Sequence, residues 1–278
     1  MTLVAVCSLK GSPGVTTAAL GLAAAWPSAQ QPVVVECDPA GGDLMARFRL
    51  ETAPGLTTLA AAARHRAEPG LLWEHTQRLP GGLPVVVGPP GAAQARASLA
   101  QLTATRSGTF RRAADRTGTV VIADCGRVDP DPAGLSVIRE ADVVLLLAWA
   151  RDDALAHVAT WWQAVTGWSR RPCFVLVGDG YATDEVAREL DIEVMARVPE
   201  DPKGAAALGG RPGRRSAVAR SPLGRALAET AELAATRVLE HPGQLPVQAT
   251  NVTTRASHVE PAAGPSSYPT QMWSEVRR

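Results

Sequence analysis

Seven short runs of aliphatic and β-branched residues recur along this chain, and they constrain its fold more than any other feature. They cover residues 3–9, 32–37, 84–87, 119–124, 142–148, 173–177 and 193–198. Most are continuously apolar rather than alternating, the pattern of strands buried on both faces. Between them lie Ala- and Leu-rich segments of helical period, such as residues 16–26 and 152–165. Strands alternating with helices imply right-handed crossovers and a parallel sheet covered on both sides. The expected architecture is therefore α/β: one doubly wound, mainly parallel sheet over residues 1–240. A last helix at 223–239 closes it.

Residues 241–278 are rich in Pro, Ser, Thr and Ala with no sustained period. Such a segment buries too little apolar area to offset the entropy of ordering, so it is expected to be a flexible tail, with Trp273 as its one anchor-like residue. No apolar run approaches the ~18 residues of a membrane span, and no charged-then-apolar leader opens the chain. The four cysteines (Cys7, Cys37, Cys125, Cys173) have no metal-ligand spacing. A reduced, cytoplasmic setting fits best.

A net charge of +1 neither favours nor excludes a polyanionic partner, so local charge must decide. The chain has two lysines, Lys10 and Lys203, against 26 arginines, a bias typical of a GC-rich bacterial genome. Lys10 opens "KGSPGVTT", which lies between an apolar strand and a small-residue helix. Loop amides at a helix N-terminus suit phosphate. Two further features fall at strand ends: Asp38 in "ECDPAGGDL" and Asp124 in "ADCG". Ligands of open α/β sheets collect at the carboxyl ends of strands. A Thr hydroxyl with one or two carboxylates suits hydrated Mg²⁺, which takes few protein ligands.

On these residues the chain resembles the ParA/MinD family of deviant Walker-A ATPases, whose loop reads KGGxGKT, over residues 1–240. The resemblance implies a P-loop fold, ATP and Mg²⁺ as cofactors, and a homodimer that sandwiches nucleotide. Lys10 matches the family's signature lysine, which reaches phosphates across that dimer. Gly11 and Gly14 match the loop glycines, and Thr16 the Mg²⁺-binding hydroxyl; Ser12, Pro13, Val15 and Thr17 complete the nucleotide cradle. "CDPAGGDL" is similar to switch I, where Asp38 helps position attacking water and joins Thr16 and Asp124 as a candidate metal ligand. "VVIADCG" is similar to the Walker-B strand, ending at Asp124. "ARVPEDP" resembles the turn near the base, with Pro199 and Asp201.

The departures carry as much information. Val15 stands where the family has its second lysine, which bridges the β- and γ-phosphates. Pro13 removes an amide donor from the loop and stiffens it. Switch II lacks its proline pair and offers Arg127 and Asp129 instead. Three readings stay open: a slow ATPase relying on Lys10, a nucleotide-binding switch or scaffold without turnover, and a nucleotide-free relative acting through partners. A metabolic enzyme of the same superfamily lacks any supporting motif.

From Lys203 to Arg225 the chain holds six basic residues and no acid, with Arg211, Arg214, Arg215 and Arg220 in and beyond "GGRPGRRSAVAR". Such a segment either grips non-specific DNA, as late basic residues do in the family's partitioning members, or forms a solvated loop. A second cluster, Arg106, Arg111, Arg112 and Arg116, is expected to form one solvated helix face. The five histidines show no paired spacing. Cys7, Cys37 and Cys125 fall near strand ends around the loop and are expected to be small buried hydrophobes.

Overall fold

The structure, a computed structural model, describes residues 2–27, 30–104, 108–128, 135–169, 172–210 and 215–240. The tail expected over 241–278, with Trp273, lies outside the described residues, as do Arg106, Asp129, Arg211 and Arg214. The first half runs β1 (Thr2–Ser8), α1 (Val15–Ala24), β2 (Gln31–Glu36), α2 (Leu44–Phe48), α3 (Leu56–Ala62) and α4 (Leu71–Glu74). It continues through β3 (Gln77–Arg78), β4 (Pro84–Val86), α5 (Ala92–Thr103), α6 (Thr109–Asp115) and β5 (Thr119–Arg127). The second half is α7 (Leu135–Glu140), β6 (Val143–Trp149), α8 (Asp152–Trp168), β7 (Pro172–Val177) and α9 (Thr183–Leu190). It ends with β8 (Val194–Val198), α10 (Pro202–Leu208), α11 (Arg215–Arg220) and α12 (Pro222–Leu239).

The strands form one sheet in the order β3-β4-β2-β5-β1-β6-β7-β8. Every pairing is parallel except β3 with β4. All seven apolar runs became strands. The two-residue β3 did not announce itself, because it is too short to show a period; it pairs through Gln77 and Arg78 with Val85 and Pro84 at the sheet edge.

Alternation along the buried strands sorts side chains onto two faces. Val4, Val6, Val34 and Ile122 point toward α1 and α12, meeting Leu20, Leu22, Leu227 and Ala231. Leu3, Ala5, Val33 and Val121 point the other way, toward Leu59, Leu99, Phe110, Ile138 and Val158. Helices thus cover both faces, and the sheet is doubly wound. At Gly21 α1 meets α12: a methyl group added there would fall 2.3 Å from Leu227 Cδ1, so only a glycine lets the helices approach this far without repacking.

One expectation fails on the loop-rich side. Arg111 is not part of a solvated face: it pairs with Asp142 at 2.8 Å and Asp115 at 2.9 Å, and its side chain is only 21% exposed. Arg112, beside it, donates to the Ala67 carbonyl.

Candidate functional site

The loop from β1 to α1 turns on two glycines with left-handed backbone, Gly11 at φ 73° and Gly14 at φ 90°. Gly14 precedes α1 without any side-chain cap on the helix, and the first turn carries no acid. The first amides of α1 therefore keep their donor capacity and the positive end of the helix dipole for a ligand. Lys10, Gly11 and Ser12 are exposed, Gly14, Thr16 and Thr17 are half-buried, and Pro13 and Val15 are buried. Val15 packs in the same apolar cluster as Val4, Val6 and Leu147. The side chain at the position where the resemblance expects a lysine is thus built into the core.

Parallel register brings the acids to this loop. Glu36 of β2 pairs with Asp124 of β5, and Val6 of β1 pairs with Asp124 from the other side. Asp124 is buried, and its carboxylate accepts from the Thr16 hydroxyl and from the Gly126 amide, the latter at 3.2 Å. The strand does not end at Asp124, as its sequence suggests, but continues to Arg127, with a register shift between Val6 and Ser8. Gly126, at φ 57°, lets the Asp38 side chain lie directly over it: an added methyl group would fall 1.9 Å from Asp38 Oδ2. Thr16, Asp38 and Asp124 therefore converge. Pro199 and Asp201 stand apart, beyond β6 and β7. The Asp201 carboxylate accepts from the Gly204 amide at 2.9 Å and from Ser221, capping α10 and tying it to α12.

Glu36 is the residue that sequence reasoning missed. It is the one charged residue in "QPVVVE" and is 2% exposed. Its Oε1 accepts from the amides of Asp43 and Leu44, and its Oε2 from that of Gly88, so it folds the segment after β2 against the sheet end. An isolated acid closing an apolar strand is the signal that could have found it.

The electrostatics follow from this crowding. Burial pushes Asp124 up to about 7; the Thr16 hydroxyl and Gly126 amide pull it down, and the charges of Glu36 and Asp38 push it further up. Burial also raises Asp38, against the Ala40 amide and the Arg127 charge, and raises Glu36 against its three amides. A hard cation among these oxygens would relieve the repulsion. On the opposite face of the same strand ends, Cys7, Cys37 and Cys125 are buried, and burial raises all three thiols, Cys7 to about 12. They behave as small apolar residues, as expected.

Trp149, the last residue of β6, packs against both faces of the core. Methyl groups added at Gly11 and Gly178 would fall 3.4 Å and 3.0 Å from its indole ring. Arg151 stacks on that ring at 4.9 Å and reaches Glu200 at 3.3 Å. In the late basic segment, Lys203, Arg220 and Arg225 are exposed, and Arg215 opens α11.

No protein-family model and no curated protein matches this sequence. Solved structures do match. A ParA-family ATPase from Chlorobium tepidum TLS aligns with TM-score 0.67 at 16% identity, over 83% of this chain and 98% of that one. The septum site-determining protein MinD of Pyrococcus horikoshii OT3, complexed with Mg-ADP, aligns with TM-score 0.62 at 16% identity, covering 83% and 94%. A variant of McdA from Cyanothece, in complex with ATP, aligns with TM-score 0.63 at 15% identity, covering 85% and 96%. The fold of this chain is that of the ParA/MinD P-loop NTPases.

Proposed function

We propose that this chain is a ParA/MinD-like switch or scaffold that binds Mg²⁺-nucleotide, dimerises and positions a cellular cargo, with weak or absent ATP hydrolysis. One observation carries the reading: the Thr16 hydroxyl, at the uncapped start of α1, is bonded to the carboxylate of the buried Asp124. Hydroxyl and carboxylate oxygens fit a hydrated Mg²⁺, and Thr16, Asp38 and Asp124 would hold it. Bound there, Mg²⁺ would supply charge neutralisation to the phosphates. The α1 amides cradle phosphate oxygens, Gly11 and Gly14 let the backbone approach them, and exposed Lys10 adds the loop's own cation. Asp38, raised in its proton affinity, stands where it can orient water.

Weak turnover follows from Val15. A buried aliphatic side chain brings no charge to the β- and γ-phosphates, and one such contact is worth ~10²–10³ in rate. The cargo is of the class that partitioning and cell-division ATPases serve: DNA, or a secretion or pilus machine. Basic residues Arg211, Arg214, Arg215 and Arg220 are the candidate non-specific DNA contact. The working domain is residues 1–240, and the setting is cytoplasmic. Among the described residues no helix is long and apolar enough to cross a membrane.

Light scattering of the full chain tests the switch. Mg²⁺·ATP is expected to convert monomer to dimer, and Lys10→Ala to abolish the conversion. An unchanged mass at millimolar Mg²⁺·ATP would refute the nucleotide switch.

A further inference from the structure

Resting on the nucleotide reading, a question remains about charge. A triphosphate on this loop meets Lys10 but no ammonium at position 15. Among the described residues, two arginines sit at the neighbouring strand ends. Arg127 lies within the field of the Asp38 carboxylate. Arg151 lies on the other side of the loop, at the start of α8, and its surroundings differ.

The indole of Trp149, at the end of β6, lies between the loop after β1 and the turn after β7. Its pyrrole edge, Cδ1 and Nε1, faces Gly11, and its benzo edge, Cζ3 and Cε3, faces Gly178. Both glycines have positive φ; a side chain at Gly178 would crowd the ring, and one at Gly11 would touch it. The ring is therefore fixed from two sides, and the Arg151 guanidinium rests on it at 4.9 Å. The same indole carries that cation on its face and meets the loop backbone at its pyrrole edge. Its anionic partner, Glu200, is 3.3 Å away, with side chains 56% and 49% exposed. An exposed pair of this kind contributes little, so exchanging Glu200 for a more highly charged anion costs little. Arg presents a planar fork that suits phosphate oxygens, and stacking on an aromatic ring preorganises it.

We propose that Arg151, held on Trp149 against Gly11, supplies to a bound polyphosphate the positive charge that the loop lacks at Val15. Trp149 is the positioning residue and Arg151 the phosphate contact. Glu200 holds the guanidinium until nucleotide arrives.

The test is calorimetric titration of the full chain with Mg²⁺·ATP and with AMP, for wild type, Arg151→Ala, Arg151→Lys and Glu200→Gln. Loss of one charge-assisted contact is expected to weaken Mg²⁺·ATP about tenfold in Arg151→Ala. AMP, which lacks the outer phosphates, should change less than about twofold, since nothing else in the site moves. Arg151→Lys should recover part of the loss, and Glu200→Gln should tighten Mg²⁺·ATP. Melting of each variant without nucleotide should match wild type. Unchanged ATP affinity in Arg151→Ala, or equal losses for ATP and AMP, would overturn the assignment while leaving the nucleotide reading intact. A wild type that takes up no ATP would remove both.

Discussion

Val15 falls where the sequence resemblance expects a phosphate-binding lysine, and it is 7% exposed among core residues. Replacing it by lysine sets two effects against each other. Without ligand, the ammonium must leave an apolar cluster or lose its hydration, so Val15→Lys is expected to lower apo stability by about 1–3 kcal/mol. With Mg²⁺·ATP, a charge-assisted contact is expected to raise affinity about 10- to 100-fold. Melting without ligand and titration with it read the two signs separately. A stability loss with no gain in affinity would mean that the backbone around residue 15 no longer directs a side chain at phosphate. Hydrolysis should gain less than affinity, because Pro13 still withholds an amide and switch II is unaltered.

At the scale of elements, the junction of α6 and α7 carries a cost that depends on pH. Glu140, at the end of α7, is half-buried against the start of α6, where the Gly108 amide donates to it; among the described residues its Oε2 has no partner. Burial pushes it up to about 7, with the Arg111 charge and the Gly108 amide opposing. An acid whose pKa rises on folding contributes fully only below its unfolded value; the contribution is lost as pH climbs through about 7. Glu140→Gln removes that titration, so it should raise the melting temperature at pH 8.5 and change it little at pH 4. The gain expected from relieving an unsatisfied buried group is about 1–3 kcal/mol, at roughly 2–4 °C per kcal/mol for a domain of this size. Equal shifts at both pH values would contradict it.

The same scale shows what the sequence made legible. Parallel strands covered on both faces must be apolar throughout, so their runs were visible and their order of burial followed. The contacts of Glu36, Arg111 and Trp149 were not visible, because each depends on a partner far along the chain. Gly88 meets Glu36, Asp142 meets Arg111, and Gly11 meets Trp149. Asp201 was legible as a turn residue, but its place as a cap shared by two helices needed the packing of α10 on α12.

For the whole molecule, the parts agree on one end of the sheet. The carboxyl ends of β2, β5, β1 and β6 bring together the glycine loop, the open N-terminus of α1, the acids around Thr16 and the Trp149–Arg151 stack. Strand order alone produces this, since α1 leaves β1 toward one face and α8 leaves β6 toward the other. This end is proposed to bind Mg²⁺-nucleotide although Val15 stands where the resemblance expects a lysine. The most direct measurement is the melting temperature of the full chain with and without Mg²⁺·ATP. A ligand at about 100 times its Kd stabilises by about 2.7 kcal/mol, or roughly 5–10 °C here. Such a rise is expected with millimolar Mg²⁺·ATP, a smaller one when Mg²⁺ is chelated, and none with adenosine. A melting temperature that stays fixed at millimolar Mg²⁺·ATP would contradict it.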